Sequence, residues 1–219
     1  MIHYLLDLFL HLDKHLTHIV QHYGMLSYLI LFLIIFTETG LIVMPLLPGD
    51  SLLFAAGAMC ALPGTDAAGS TALNILFVIP LLIVAALMGD NVNYFVGHFL
   101  GERIKKRRRI LFFKSEYITD TENFYEKHGG KTVVMARFVP IVRTIAPFVA
   151  GAGSMKYARY ILFCIAGAFI WVTGLTTLGY LFGNIPIVKN NFELVIFGII
   201  FLSILPVIIA FAKSRMNKE

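Results

Sequence analysis

Residues 136 to 155 read Ala-Arg-Phe-Val-Pro-Ile-Val-Arg-Thr-Ile-Ala-Pro-Phe-Val-Ala-Gly-Ala-Gly-Ser-Met. The stretch is apolar enough to enter a bilayer, yet it carries Arg137 and Arg143, is broken by Pro140 and Pro147, and ends in Gly151 and Gly153. An unbroken spanning helix needs about 20 apolar residues, and each Arg near the bilayer centre costs roughly 2.5 to 3.5 kcal/mol on insertion scales. The pattern therefore predicts a re-entrant hairpin that enters the membrane without crossing it. Backbone groups freed at its breaks would line a polar cavity among other helices, the setting in which irregular backbone is tolerated at that depth.

The rest of the chain fits that setting. Of 219 residues, 58% are hydrophobic and 14% charged, and the mean hydropathy is +0.80. These values describe an integral membrane protein. No Ser/Gly/Pro-rich linker or low-complexity tract divides it, so residues 1–219 read as one polytopic domain. Seven of the 18 Lys and Arg lie between Arg103 and Lys114, which marks a cytoplasmic segment rather than a nucleic-acid surface. Cys60 and Cys164 sit in apolar surroundings and read as small hydrophobes, with neither a disulfide framework nor a metal site. The first residues lack a basic n-region and a small-residue cleavage site, so no removable signal peptide is expected.

In order, residues 1–22 read as an amphipathic interfacial helix, with Leu5, Leu6, Phe9, Leu12 and Leu16 on one stripe. Its His11, His15, His18 and His22 read as a polar face; neighbouring pairs could meet a metal, although a metal site usually has a fuller ligand set. The first repeat, 23–100, opens with an apolar run to Phe36. A segment broken at Pro45, Pro48 and Gly49 follows, flanked by Glu38 and Asp50. A second hairpin over 38–60 is the economical reading, with Asp50 where an N-cap belongs. Leu73 to about Leu100 then crosses the membrane, its second half made polar by Asp90, Asn91 and Asn93. Residues 101–130 form a basic cytoplasmic segment with an amphipathic helix from Ser115 to His128. Gly130-Lys131-Thr132 looks like the tail of a P-loop, but Tyr125 stands where its first glycine is needed. The second repeat, 131–183, holds the Arg-bearing hairpin and a span from about Tyr160 to Phe182. Residues 184–219 supply a last span and a basic tail.

Positive charge places 101–131, 156–159 and the C-terminus inside the cell, and 61–72 and 184–193 outside; the N-terminus is expected to be cytoplasmic as well. Residues 52–59 align with 148–155, and Gly97 to Gly101 align with Gly179 to Gly183. Each unit is then a broken hairpin followed by a spanning helix, in opposite orientation. The fold class is thus an all-α polytopic membrane protein built on an inverted repeat of two re-entrant hairpins, as in many secondary transporters.

Four ionisable residues lie in the two broken segments: Glu38 and Asp50 in one, Arg137 and Arg143 in the other. Their formal charges cancel, so acids and arginines meeting near the midplane would relieve one another's burial. The plainer reading makes Asp50 a helix cap and lets the arginines snorkel to the interface.

Several stretches carry a family likeness: Phe36 to Gly40, Pro45 to Phe54, Gly89-Asp90 with Asn93-Tyr94, Phe124 to Lys131, and Ala136 to Arg143. With them the chain resembles the DedA family of bacterial inner-membrane proteins over nearly its whole length. The resemblance implies two opposed re-entrant hairpins and a role in envelope maintenance. It also implies translocation of undecaprenyl phosphate, a flippase activity driven by the proton motive force. On matching positions it makes Glu38 and Asp50 the functional acids and Arg137 and Arg143 the functional arginines; Asp90 is the next candidate for proton coupling. No cofactor is expected. The implied partners are a polyprenyl phosphate or other anionic lipid, protons, and a second copy of the chain.

For a lipid phosphate, Arg supplies a planar fork that binds phosphate oxygens bidentately, and half-helix N-termini add N–H donors. Passive phospholipid scrambling and a non-transporting assembly role are the other readings. An enzyme would need a nucleophile or base beside its arginines, and outside the first helix the histidines are His98 and His128, neither in a hairpin. The topology has a direct test. A cysteine at Ala68 labels from outside intact cells and one at Ser115 does not; labelling at both positions, or the reverse pattern, overturns the inverted repeat.

Overall fold

The computed structural model describes residues 25–41, 49–61, 73–107, 109–110, 113–114, 131–137, 140–153, 155–186, 188, 191, 194–195 and 198–199. The described helices are α1 (Leu26–Gly40), α2 (Gly49–Cys60), α3 (Ile75–Arg107), α4 (Lys131–Ala136), α5 (Pro140–Ala152) and α6 (Tyr157–Phe182). Two short strands, β1 (Arg109–Ile110) and β2 (Phe113–Lys114), pair antiparallel inside the basic segment, Arg109 opposite Lys114. The N-terminal amphipathic helix with its histidines, Pro45, Pro48, the 115–128 helix and most of the last span lie outside the described residues.

Local sequence explains the main boundaries. Asn74 caps α3: its Oδ1 accepts from the Leu76 N–H at 2.9 Å, and its own N–H donates to the Tyr28 hydroxyl at 2.9 Å. The helix runs on past Leu100 to Arg107, further than its apolar part. Pro140 opens α5, where a missing N–H costs nothing and the fixed φ suits the first turn. At the other end of α5 the Met155 N–H returns to the Ala150 carbonyl at 3.2 Å, and Gly153 to Val149 at 2.7 Å. These bonds satisfy carbonyls that the helix leaves open. Cys60 and Cys164 are free thiols.

Two helical segments, Ile75–Gly101 of α3 and Tyr157–Phe182 of α6, are long and apolar enough to cross a membrane. Their outward residues include Leu76, Phe77, Phe99, Leu162, Phe169 and Leu181, all exposed, while Glu38, Asp90, Arg137 and Arg143 are buried. A surface this apolar over charges this deeply buried is the distribution expected in lipid.

The chain divides into two units. Residues 1–34, 47–83 and 172–219 form the first, and 35–46 and 84–171 the second, so α3 and α6 each contribute to both. In the first unit α2 packs on the end of α6. A Cβ at Gly179 would overlap the Phe54 carbonyl, one at Gly57 the Thr176 carbonyl, and one at Gly183 the Ala58 methyl. In the second unit α5 packs on α3 by the same contacts: Gly97 against the Phe148 carbonyl, Gly151 against Tyr94, and Gly101 against Ala152. Without a hydrophobic force between helices in lipid, close backbone contact at small residues is what holds such pairs.

This packing corrects one part of the sequence alignment. Phe54, Gly57 and Ala58 correspond to Phe148, Gly151 and Ala152, two residues away from the expected register. The expected register sets Met59 against Met155, but Met155 lies beyond the end of α5 whereas Met59 is inside α2. The Gly97–Gly101 match with Gly179–Gly183 holds as expected.

The seam is testable within one helix. Gly179→Ala forces a methyl into the α2 backbone and should destabilise the protein by roughly 1–3 kcal/mol. Gly174, with open space where its Cβ would stand, should tolerate alanine or gain up to about 1 kcal/mol from helix propensity. Thermal unfolding in one detergent compares the two.

Candidate functional site

The buried charges of the second unit come from four places in the chain. Glu38 lies in the last turn of α1, Asp90 in the middle of α3, Arg137 in the turn after α4, and Arg143 in the first turn of α5. Pro140 separates the two arginines by starting a new helix between them, which gives each its own direction. They make two pairs. Arg143 Nη2 donates to Glu38 Oε1 at 2.5 Å. Arg137 Nη2 pairs with Asp90 Oδ2. All four residues are at most 4% exposed.

Neighbouring side chains hold each pair in place. The Arg143 guanidinium lies over the Trp171 ring, 4.4 Å from its centroid, a cation–π contact that gains strength away from water. Arg137 Nη2 also reaches Cys164 Sγ at 3.3 Å, Sγ stands 3.5 Å from Asp90 Oδ2, and the Tyr160 hydroxyl donates to the Asp90 carbonyl at 3.1 Å. Arg137 Nε and Nη1 are buried and make no hydrogen bond among the described residues. Asn93 ties three helices together by donating to the Thr144 carbonyl at 2.6 Å and the Thr39 carbonyl at 3.4 Å.

Glycines allow the approach. Gly40 meets Gly89 backbone to backbone, so α1 and α3 bring Glu38 and Asp90 into the same neighbourhood; a Cβ at Gly89 would strike Thr39 Oγ1 and the Phe36 carbonyl. A Cβ at Gly167 would lie 2.8 Å from Arg137 Cδ and 2.9 Å from Nε, so α6 leaves a channel for the Arg137 side chain.

The structure thus joins Glu38 to Arg143 and Asp90 to Arg137. Asp50 belongs to the first unit, half-buried in the first turn of α2. There its carboxylate complements the helix dipole. In the repeat register Asp50 matches Thr144, the neighbour of Arg143, so the first turn of one short helix carries an acid and the other a base. Gly49 begins α2 and Pro147 sits inside α5.

Sequence reasoning missed the contribution of α6. Tyr160, Cys164, Gly167 and Trp171 recur every three or four residues and share one helix face, against which both arginines lie. That spacing was visible in the sequence, but no charge marks it.

A helical membrane protein whose core carries two arginine–carboxylate pairs is the class these features define. The VTT domain family model matches residues 47–181. Protein DedA of Escherichia coli (strain K12) is 48% identical over 215 residues, 98% of this chain and 95% of that protein. An uncharacterized membrane protein of Mycobacterium leprae is 43% identical over 177 residues, 81% of this chain and 76% of its own. The inner membrane protein YqjA of E. coli (strain K12) is 35% identical over 164 residues, 75% of this chain and 70% of its own. No solved structure matches. The chain belongs to the DedA family of VTT-domain membrane proteins.

The channel at Gly167 can be checked by a double-mutant cycle. Gly167→Ala pushes Arg137 off its line to Asp90, so its destabilisation should largely vanish in an Arg137→Ala background. A coupling of about 0.5–3 kcal/mol is expected, and strict additivity of the unfolding free energies would contradict the contact.

Proposed function

We propose that this protein is a flippase, not an enzyme, that carries a lipid-linked phosphate across the bacterial inner membrane under the proton motive force. The substrate class suggested by the family resemblance is undecaprenyl phosphate, and the role is envelope maintenance. The observation that carries this reading is the buried pairing of Arg143 with Glu38 and Arg137 with Asp90. A balanced cluster of this kind is stable when closed, and protonation of either acid leaves an arginine with charge to offer an anion.

The membrane arrangement we infer is an inverted repeat with both termini cytoplasmic. α2 and α5 have 12 and 13 residues, about 18–20 Å at 1.5 Å per residue. That is well short of the ~30 Å hydrocarbon core, which supports re-entrant segments backed by the spanning parts of α3 and α6. Glu38 gates Arg143, and Asp50 in the first unit is the acid whose protonation accompanies the opposite-facing state.

Two substitutions separate binding from coupling. Glu38→Gln mimics the protonated acid, so lipid-phosphate binding should persist while the dependence of flux in liposomes on a proton gradient weakens. Arg143→Lys keeps the charge but loses the fork and the flat contact with Trp171, so affinity should fall in protein that still folds. Gradient dependence unchanged in folded Glu38→Gln would remove Glu38 from coupling. Absence of lipid-phosphate flux in the unaltered protein would remove the transport reading itself.

A further inference from the structure

The two arginines are held differently. Arg143 is engaged by Glu38 on one side and covered by Trp171 on its face. Arg137 spends Nη2 on Asp90 and Cys164, while its Nε and Nη1 make no hydrogen bond among the described residues although the residue is 3% exposed. Leaving two nitrogens of a buried guanidinium unsatisfied is costly, and the groups those positions suit best are oxygens of an anion. The groups facing Asp90 are Arg137 from the turn before α5 and Cys164 and Tyr160 from α6, with Arg143 of α5 acting at longer range.

We propose that Asp90 and Arg137 form an exchange site that takes up a phosphate monoester together with a proton. This rests on the transport reading above and assigns its stoichiometry. The phosphate displaces Asp90 Oδ2 from Nη2 and takes that nitrogen together with one of its unsatisfied companions, Nε or Nη1, as a bidentate pair. Asp90, now a buried carboxylate without its cation, accepts a proton from solvent, since an unpaired buried charge is far less stable than the neutral acid. Charge balance then selects the phosphate form. Arg137 with ionised Asp90 is neutral; Arg137 with protonated Asp90 and a phosphate monoanion is neutral again, whereas a dianion would leave a net buried charge. A phosphate monoester has its second ionisation near pH ~6. Above that pH the bound state therefore gathers two protons per phosphate dianion, one on the phosphate and one on Asp90.

Tyr160 and Gly167 act as positioning residues. Tyr160 anchors the backbone at Asp90, and Gly167 keeps the Arg137 side chain in line with it. Cys164 touches both members of the pair and reports on its opening.

The test counts protons. Binding of a short polyprenyl phosphate to detergent-solubilised protein is measured by calorimetry in buffers of different ionisation enthalpy at pH 7.5, beside a polyprenyl alcohol and inorganic phosphate as probes of chain and headgroup alone. The unaltered protein should take up about two protons per bound ligand and Asp90→Asn about one. Between pH 7 and 8 its affinity should fall about tenfold more per pH unit than that of Asp90→Asn, by proton linkage. Should Asp90→Asn fail to fold, infrared difference spectra of the unaltered protein carrying isotope-labelled aspartate give the same answer. A protonated aspartate band, retained in Asp50→Asn, should appear on binding together with a shifted Cys164 S–H band. Equal proton counts in the two proteins, or binding with no aspartate band, overturns the exchange site and leaves the transport reading standing. If the alcohol binds as well as the phosphate, or the phosphate does not bind at all, the transport reading falls and the exchange site with it.

Discussion

A guanidinium inside a helical membrane bundle must be paired, and the architecture of the second unit follows from that requirement. Arg137 and Arg143 are each met by one carboxylate from a different helix, Asp90 of α3 and Glu38 of α1. Removing one partner from such a pair costs about 3–5 kcal/mol, because the charge left behind remains buried. Helices α1, α3 and α5 are therefore committed to one arrangement by electrostatics, although lipid supplies no hydrophobic force to drive them together. Gly40 and Gly89 let two of these helices touch, and Asn93 fastens the third.

Much of this was legible in the sequence because intramembrane charge is rare and expensive. Glu38, Arg137 and Arg143 stood out in apolar runs broken by proline and glycine, and the structure brings all three into one cluster. Asp90 was visible as an acid in the polar half of a spanning helix, but its pairing with Arg137 was not. Pairing depends on how α3 rotates against α5, and that rotation is set by the Gly97 and Gly101 contacts. The face formed by Tyr160, Cys164, Gly167 and Trp171 escaped notice for a related reason. Its members are apolar or weakly polar, and only a neighbouring arginine gives them a common purpose.

The likeness between the two packed helix pairs was legible in the sequence, but its register was not. A match of small residues in apolar sequence can slide by a residue or two with little loss of score, whereas a carbonyl in contact with a particular glycine cannot. Once Phe54 and Phe148 are seen to press on Gly179 and Gly97, the correspondence is fixed. Backbone contact therefore decides an alignment that similarity of side chains left open.

That fixed register exposes a difference between the copies. Where α3 carries Asp90 and Asn93, the equivalent turn of α6 carries Val172 and Leu175. Where α5 opens with Arg143 and Thr144, α2 opens with Gly49 and Asp50. The packing seam is common to both units, so the contact of α5 on α3 has a counterpart, α2 on α6, with no arginine at it. Concentration of the charges in the second unit goes beyond what the seam needs, and it is paid for there by a second acid and an aromatic shelf. A seam of glycines can be duplicated at little cost, while each buried arginine demands its own carboxylate. A seam present in both units, with the paired arginines in one of them, keeps that demand to a single site.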